Sequence, residues 1–157
     1  MPIATMQKQC AGLLLFRRQP RLEVLLGWPG LPYPGGKIWQ IPKGKTKEKE
    51  PLLAAARREW TEETGQSIAT EIFLALGSVT QGDKDVFIWA FEGDCDTTKP
   101  FASRVVSIKW PANSNSLSLF RELDRIQFFS LEAAYRAIVP AQIPFLTALE
   151  TKLKETQ

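Results

Sequence analysis

The sequence predicts an α+β domain, a mixed sheet carrying a few helices in an α/β/α sandwich. Three observations lead there. The chain has 157 residues, enough for one domain with a real core. Apolar residues make up 44% and charged residues 24%, the balance of a soluble globular protein. Short apolar runs bounded by Gly and Pro alternate with a few stretches of helical period.

Residues 11–17 (AGLLLFR) form a buried strand by composition, and 22–28 (LEVLLGW) its partner across the Gln19-Pro20-Arg21 turn. Residues 29–37 (PGLPYPGGK) are a long loop, and Trp39 to Pro42 a short extended piece. Residues 43–50 alternate charge without an apolar side chain and read as a loop. A helix is expected over 51–64, with Pro51 at its first position. Leu52, Leu53, Ala56 and Trp60 give it a face, and Gly65 stops it. Strands follow at 70–80 and 84–92 around Gln81-Gly82-Asp83, and another at 104–110. Residues 111–118 read as a loop and 126–129 as a short strand. Helices are expected over 131–138 and from about Pro144 to Lys154, the second with Phe145, Leu146, Leu149 and Leu153 on one face.

The chain contains no histidine. That excludes a Ser-His-Asp triad, a Cys-His pair and a His-ligated zinc site, and two cysteines cannot make a four-Cys site. Acid–base work must fall to carboxylates, Lys, Tyr or water activated by a metal. Cys10 and Cys95 are expected to be reduced. The apolar run from Ala11 to Phe16 is too short for a signal segment or a membrane span, so a cytoplasmic protein with no membrane partner is expected. A net charge of +3 is too small to argue for DNA, and the Lys/Glu alternation at 43–50 does not make an RNA groove.

Chemistry concentrates in residues 44–65, GKTKEKEPLLAAARREWTEETG. Glu59, Glu62 and Glu63 lie at i, i+3 and i+4 on one helix face and repel one another. They also sit near the helix C-terminus, the negative end of its dipole. Two local rules broken together point to a site, and the natural relief is a divalent cation. Oxygen ligands without His or Cys suit Mg2+ or Mn2+. The alternative is a solvated helix face.

The spacing Gly44, five residues, Glu50, seven residues, Arg58-Glu59, two residues, Glu62-Glu63, one residue, Gly65 resembles the Nudix hydrolase signature G-x5-E-x7-R-E-U-x-E-E-x-G-U, U being bulky and apolar. All seven fixed positions match, a coincidence of order 10⁻⁸ at a given start. Trp60 fills the first U; Gln66 stands at the final U, with Ile68 two residues on.

The resemblance implies a Nudix-type α/β/α sandwich over about residues 10–150, with a loop-helix-loop catalytic segment. It implies metal-dependent hydrolysis of a nucleoside diphosphate linked to another group. Glu59, Glu62 and Glu63 would be metal ligands, one of them, often the first, acting instead as general base. Arg58 would orient Glu59 by a bidentate contact, and Glu50 would belong to the same network. Lys43 would give its backbone carbonyl to a metal, Gly44 would allow close approach, and Gly65 would end the helix. Phe120 to Asp124 is similar to a segment that supplies a further carboxylate in several subfamilies: Glu122 is the candidate and Asp124 the second choice, against a plain exposed turn or helix end. Lys45 and Lys43 could meet substrate phosphate, against a solvated role.

Trp39-Gln40-Ile41-Pro42-Lys43-Gly44 resembles the W-x-x-P-K-G run of dinucleoside polyphosphate hydrolases and of predicted NTP pyrophosphohydrolases in the family. The expected substrate is therefore a dinucleoside polyphosphate or a nucleoside triphosphate. An ADP-ribose or nucleotide-sugar pyrophosphatase, an RNA 5′-end pyrophosphohydrolase and a non-catalytic nucleotide-binding protein remain as alternatives, and a homodimer is compatible with the family.

Overall fold

The computed structural model describes residues 8–31, 36–98 and 103–155. The first strand, β1 (Lys8–Arg17), lies in the middle of the main sheet. Its alternation sorts the core: Ala11, Leu13 and Leu15 join one apolar cluster, and Cys10, Leu14 and Phe16 the other. A strand buried on both faces needs cover on both, and helices supply it.

The remaining elements are β2 (Glu23–Pro29), β3 (Lys43–Lys45), α1 (Leu52–Thr64), β4 (Leu74–Gln81), β5 (Lys84–Glu92), β6 (Val105–Lys109), β7 (Leu117–Arg121), β8 (Leu123–Ser130), α2 (Leu131–Ala137), a 3-10 turn (Pro140–Gln142) and α3 (Ile143–Glu155). The sheet order is β4-β5-β1-β2-β8, with β3 added to β1. The β1–β5 pair is parallel and the others antiparallel, so the sheet is mixed as expected. Helix α1 covers one face through Ala55, Ala56 and Trp60. Helices α2 and α3 cover the other through Ala134, Phe145, Leu146, Leu149 and Leu153, which makes the α/β/α sandwich. Strands β6 and β7 form a separate two-stranded hairpin.

Two departures from the expected elements bear on the site. Residues 43–45, expected in a loop, form β3 against β1 with Cys10 opposite Lys45 and Gly12 opposite Lys43. Residues 117–121 form β7 rather than the end of a loop followed by a turn, and β8 starts at Leu123 rather than 126. Smaller differences lie at helix and strand ends. Pro51 is the extended residue before α1 (φ −60°, ψ 142°), and β4 begins at Leu74 rather than 70. Gly65 is in the left-handed region (φ 69°) and its N–H reaches the Thr61 carbonyl at 2.9 Å, ending α1 as expected. Ile68 packs against the α1-side cluster, while Gln66 does not join it.

Segment 39–45 opens the sheet. Strands β1 and β2 pair only at Phe16–Val24 and Arg17–Glu23. Beyond that point β1 bonds to β3, and Gly27 of β2 bridges to Gln40. The inserted segment is pinned from the α3 side. Buried Gln142 accepts from the Ile41 N–H at 2.8 Å, and the Val139 N–H donates to the Trp39 carbonyl at 2.9 Å. Cys10 is buried and Cys95 half-buried, both free thiols. No described helix is long and apolar enough to cross a membrane.

Candidate active site

Where segment 39–45 parts β1 from β2, a cavity of about 450 Å³ opens against α1. One wall is acidic. Glu59 and Glu63, one helical turn apart on α1, face the sheet and are only 2% and 7% exposed. Glu122 meets them from the junction of β7 and β8. One carboxylate oxygen from each of the three lies within 4.8 Å of the others. Oε2 of Glu59, Glu63 and Glu122 are all buried and lack a hydrogen-bond partner among the described residues.

Buried like charges are costly. Burial foremost, then the Glu122 and Glu59 charges, push the Glu63 carboxyl well above the usual carboxylate range. Burial also raises Glu59, against the pull of Arg58. Three converging carboxylates, each with an orphaned oxygen and with no His or Cys in the group, fit a hard divalent cation. Gly44 shapes the same pocket. A Cβ there would lie 2.0 Å from Glu59 Oε2, so only glycine lets β3 close on this carboxylate.

Arg58 staples the segment together. Its Nη1 donates to Glu59 Oε1 at 2.8 Å and to Glu62 Oε2 at 3.0 Å. Its bidentate contact is made to Glu50, not to Glu59: Nε to Oε2 at 2.8 Å and Nη2 to Oε1 at 2.9 Å. Nη2 also reaches the Lys45 carbonyl at 3.1 Å, which ties α1 to β3. The Arg58 contact, helped by the Lys47 N–H, holds the Glu50 carboxyl at about 2. A folded-state value below the unfolded one adds stability above the usual carboxylate range, and this is lost as pH falls through about 2. Glu50→Gln is expected to cost about 1–2 kcal/mol at neutral pH. Its melting temperature should also depend less on pH in the acid range, which thermal melts across that range would show.

The structure places the other expected residues as follows. Glu62 is not in the three-oxygen group; its Oε2 accepts from Arg58 and from Arg104. Asp124 is exposed and faces Lys37 at 4.0 Å, so Glu122 alone of the two joins Glu59 and Glu63. Residues 120–124 are thus a strand junction rather than an exposed turn or a helix end. Lys43 and Lys45 both line the cavity, and burial pulls the Lys43 ammonium below the usual lysine range.

Two lining cations have no counterpart in the sequence reading. Lys84 opens β5, and Arg104 stands just before β6 with its guanidinium on Glu62 and Glu122. Neither belongs to a spaced motif, and only the folded sheet brings them to the box.

The NUDIX domain profile matches residues 6–149. The chain belongs to the Nudix family. Family membership supports a pyrophosphohydrolase. Solved structures share the Nudix fold at low identity. An Ap4A hydrolase from C. elegans, in a binary complex, superposes with a TM-score of 0.65 at 18% identity, over 93% of this chain and 98% of that one. The NUDIX domain of Shewanella oneidensis NrtR, complexed with ADP ribose, gives 0.68 at 13% identity, over 96% and 90%. A MutT protein from Methanosarcina mazei gives 0.59 at 18%, over 94% and 95%. No curated protein sequence matches the chain.

Proposed function

We propose that this Nudix protein is a Mg2+- or Mn2+-dependent phosphohydrolase of a nucleoside diphosphate linked to a further group, with a dinucleoside polyphosphate or a nucleoside triphosphate as substrate. The observation that carries the reading is the convergence of the Glu59, Glu63 and Glu122 carboxylates, each with an orphaned Oε2, on one cavity. These carboxylates, with Glu62 beside them and the Lys43 backbone carbonyl, would hold the metal. A divalent cation in such a site neutralises phosphate charge and makes water a better nucleophile at neutral pH.

The chain's own groups do the rest. Arg58 fixes the Glu59 carboxylate from one side while Gly44 leaves it room on the other. Glu59 is therefore held in the one orientation that a metal ligand needs. Lys43, Lys45 and Lys84 line the cavity with Glu59 and Glu63, where a chain of phosphates needs compensating charge. Several such cations favour a polyphosphate over a singly linked sugar diphosphate. The W-x-x-P-K-G run at residues 39–44 supports the same choice. The C. elegans Ap4A hydrolase likeness is compatible with it, and the ADP ribose in NrtR keeps ADP-ribose hydrolysis as the second reading.

The test is a substrate panel with product analysis. Diadenosine polyphosphates, nucleoside triphosphates, ADP-ribose, nucleotide sugars and a 5′-triphosphate RNA are each incubated with Mg2+, Mn2+ or EDTA. The expected result is release of ATP or ADP from a diadenosine polyphosphate, or of a monophosphate from a triphosphate, abolished by EDTA. Turnover of ADP-ribose alone would overturn the substrate, and turnover in EDTA would overturn the metal.

A further inference from the structure

Arg104 is not part of the Nudix box, yet its guanidinium touches more of the acidic wall than any lysine lining the cavity does. Nη1 donates to Glu62 Oε2 at 2.8 Å. Nε and Nη2 converge on Glu122 Oε1 at 3.1 and 2.5 Å. Nη2 also lies 3.9 Å from the orphaned Glu59 Oε2. One cation therefore spans three of the four carboxylates at this site and shares Glu62 Oε2 with Arg58.

Its backbone is held by hydrogen bonds to the neighbouring elements, its side chain by the carboxylates alone. The Arg104 N–H donates to the Glu62 carbonyl and the Glu122 N–H to the Arg104 carbonyl, both at 2.9 Å. The neighbouring Ser103 hydroxyl oxygen accepts from the Leu123 N–H at 2.9 Å. These bonds tie the start of the β6–β7 hairpin to α1 and β8. The Arg104 side chain, by contrast, is 43% exposed and borders the open cavity. A rotamer change swings it clear without moving the main chain.

A dication ligated by Glu59, Glu63 and Glu122 and the Arg104 guanidinium would share Glu122 and the edge of Glu59. Two positive centres at such range repel, and each weakens the other's hold on the shared oxygens. We propose that Arg104 is the resident counter-cation of the acidic site, holding Glu62 and Glu122 in place until a divalent metal displaces it. Displacement leaves Glu62 held by Arg58 alone, so that it can turn toward the metal, and leaves the Arg104 guanidinium facing the cavity where phosphate enters. Arg104 is thus a positioning residue that exchanges with metal. This rests on the metal reading above.

The experiment measures Mn2+ binding to nucleotide-free protein by the EPR signal of free Mn2+, for wild type, Arg104→Gln and Arg104→Lys. Removing a competitor of half-exposed ion pairs should tighten Mn2+ in Arg104→Gln by about three- to tenfold. Arg104→Lys keeps the charge but cannot span Glu62 and Glu122 together, so it should fall between the two. Thermal melts supply the second readout. In EDTA, Arg104→Gln should melt below wild type, and Mn2+ should raise its melting temperature by more than it raises that of wild type. A merely structural arginine would lower the melting temperature without tightening Mn2+.

Equal or weaker Mn2+ binding by Arg104→Gln overturns the exchange and leaves the metal reading standing. No binding by any of the three proteins overturns both. If Arg104→Gln does not fold, Mn2+ affinity of Arg104→Lys no tighter than wild type overturns the proposal on its own.

Discussion

Glu63→Gln is expected to lower kcat by about 10³-fold and, in EDTA at alkaline pH, to raise the melting temperature. The two effects have one cause. Glu63 sits almost wholly out of water with Glu59 and Glu122 around it, so its ionised form is unfavourable in the folded chain. Its carboxyl is raised well above the ordinary range. A folded-state value above the unfolded one contributes stability below the unfolded value, and that contribution is lost as pH rises through the folded value. Metal-free wild type should therefore lose stability on going alkaline, and a divalent cation should restore it.

Glutamine keeps the shape and removes the charge. It should stabilise the metal-free protein by about 1–2 kcal/mol at alkaline pH. It should lose the metal and with it turnover, by about 10³-fold. Melting curves in EDTA and in Mg2+ at acid and alkaline pH, with steady-state rates beside them, check both halves. A variant that is less stable in EDTA at alkaline pH would contradict the buried-charge account.

Gly44→Ala should reduce turnover by about a hundredfold while touching no carboxylate covalently. The added methyl would stand 2.0 Å from Glu59 Oε2 and 2.1 Å from its carboxyl carbon. Glu59 has no free space to move into, because its side chain is 3% exposed and Oε1 is held by Arg58. Either β3 lifts from β1 or Glu59 leaves its place. An ångström-scale misplacement of a metal ligand costs about a hundredfold, and the overpacking about 1–3 kcal/mol. The double variant Gly44→Ala/Glu59→Ala restores space. It should regain most of the melting temperature and none of the activity. If Gly44→Ala alone kept wild-type rates, the close contact of β3 with Glu59 would not matter to catalysis.

The parts of this structure legible in the sequence are those whose cause is local. Helix α1 declares itself by period and by Gly65, and the buried face of α3 by Phe145, Leu146, Leu149 and Leu153. Strand β5 coincides with the expected 84–92, because alternating Val86, Ile88 and Ala90 carry the burial pattern of a half-covered strand. The box residues were legible because they are spaced on one helix and its approach.

What stayed hidden is made by partners distant in sequence. Lys43-Gly44-Lys45 has no strand propensity, and β1 makes it a strand by pairing with it. Strand β7 exposes Leu117 and Leu119, so the usual burial pattern was absent and the junction that aims Glu122 was obscured. The split of Arg58 between Glu50, Glu59 and Glu62 follows from where the segment before α1 folds back. Arg104 lies 42 residues from Glu62, and nothing in its own segment marks it.

Glu59, Glu63 and Glu122 are expected to hold a divalent cation between them. The most direct measurement is the anomalous difference density of a crystal soaked in Mn2+. The expected result is a peak ligated by those three carboxylates at about 2.0–2.4 Å, lost in the Glu63→Gln variant. Full Mn2+ occupancy elsewhere on the chain, with the three carboxylates left without a peak between them, would contradict it.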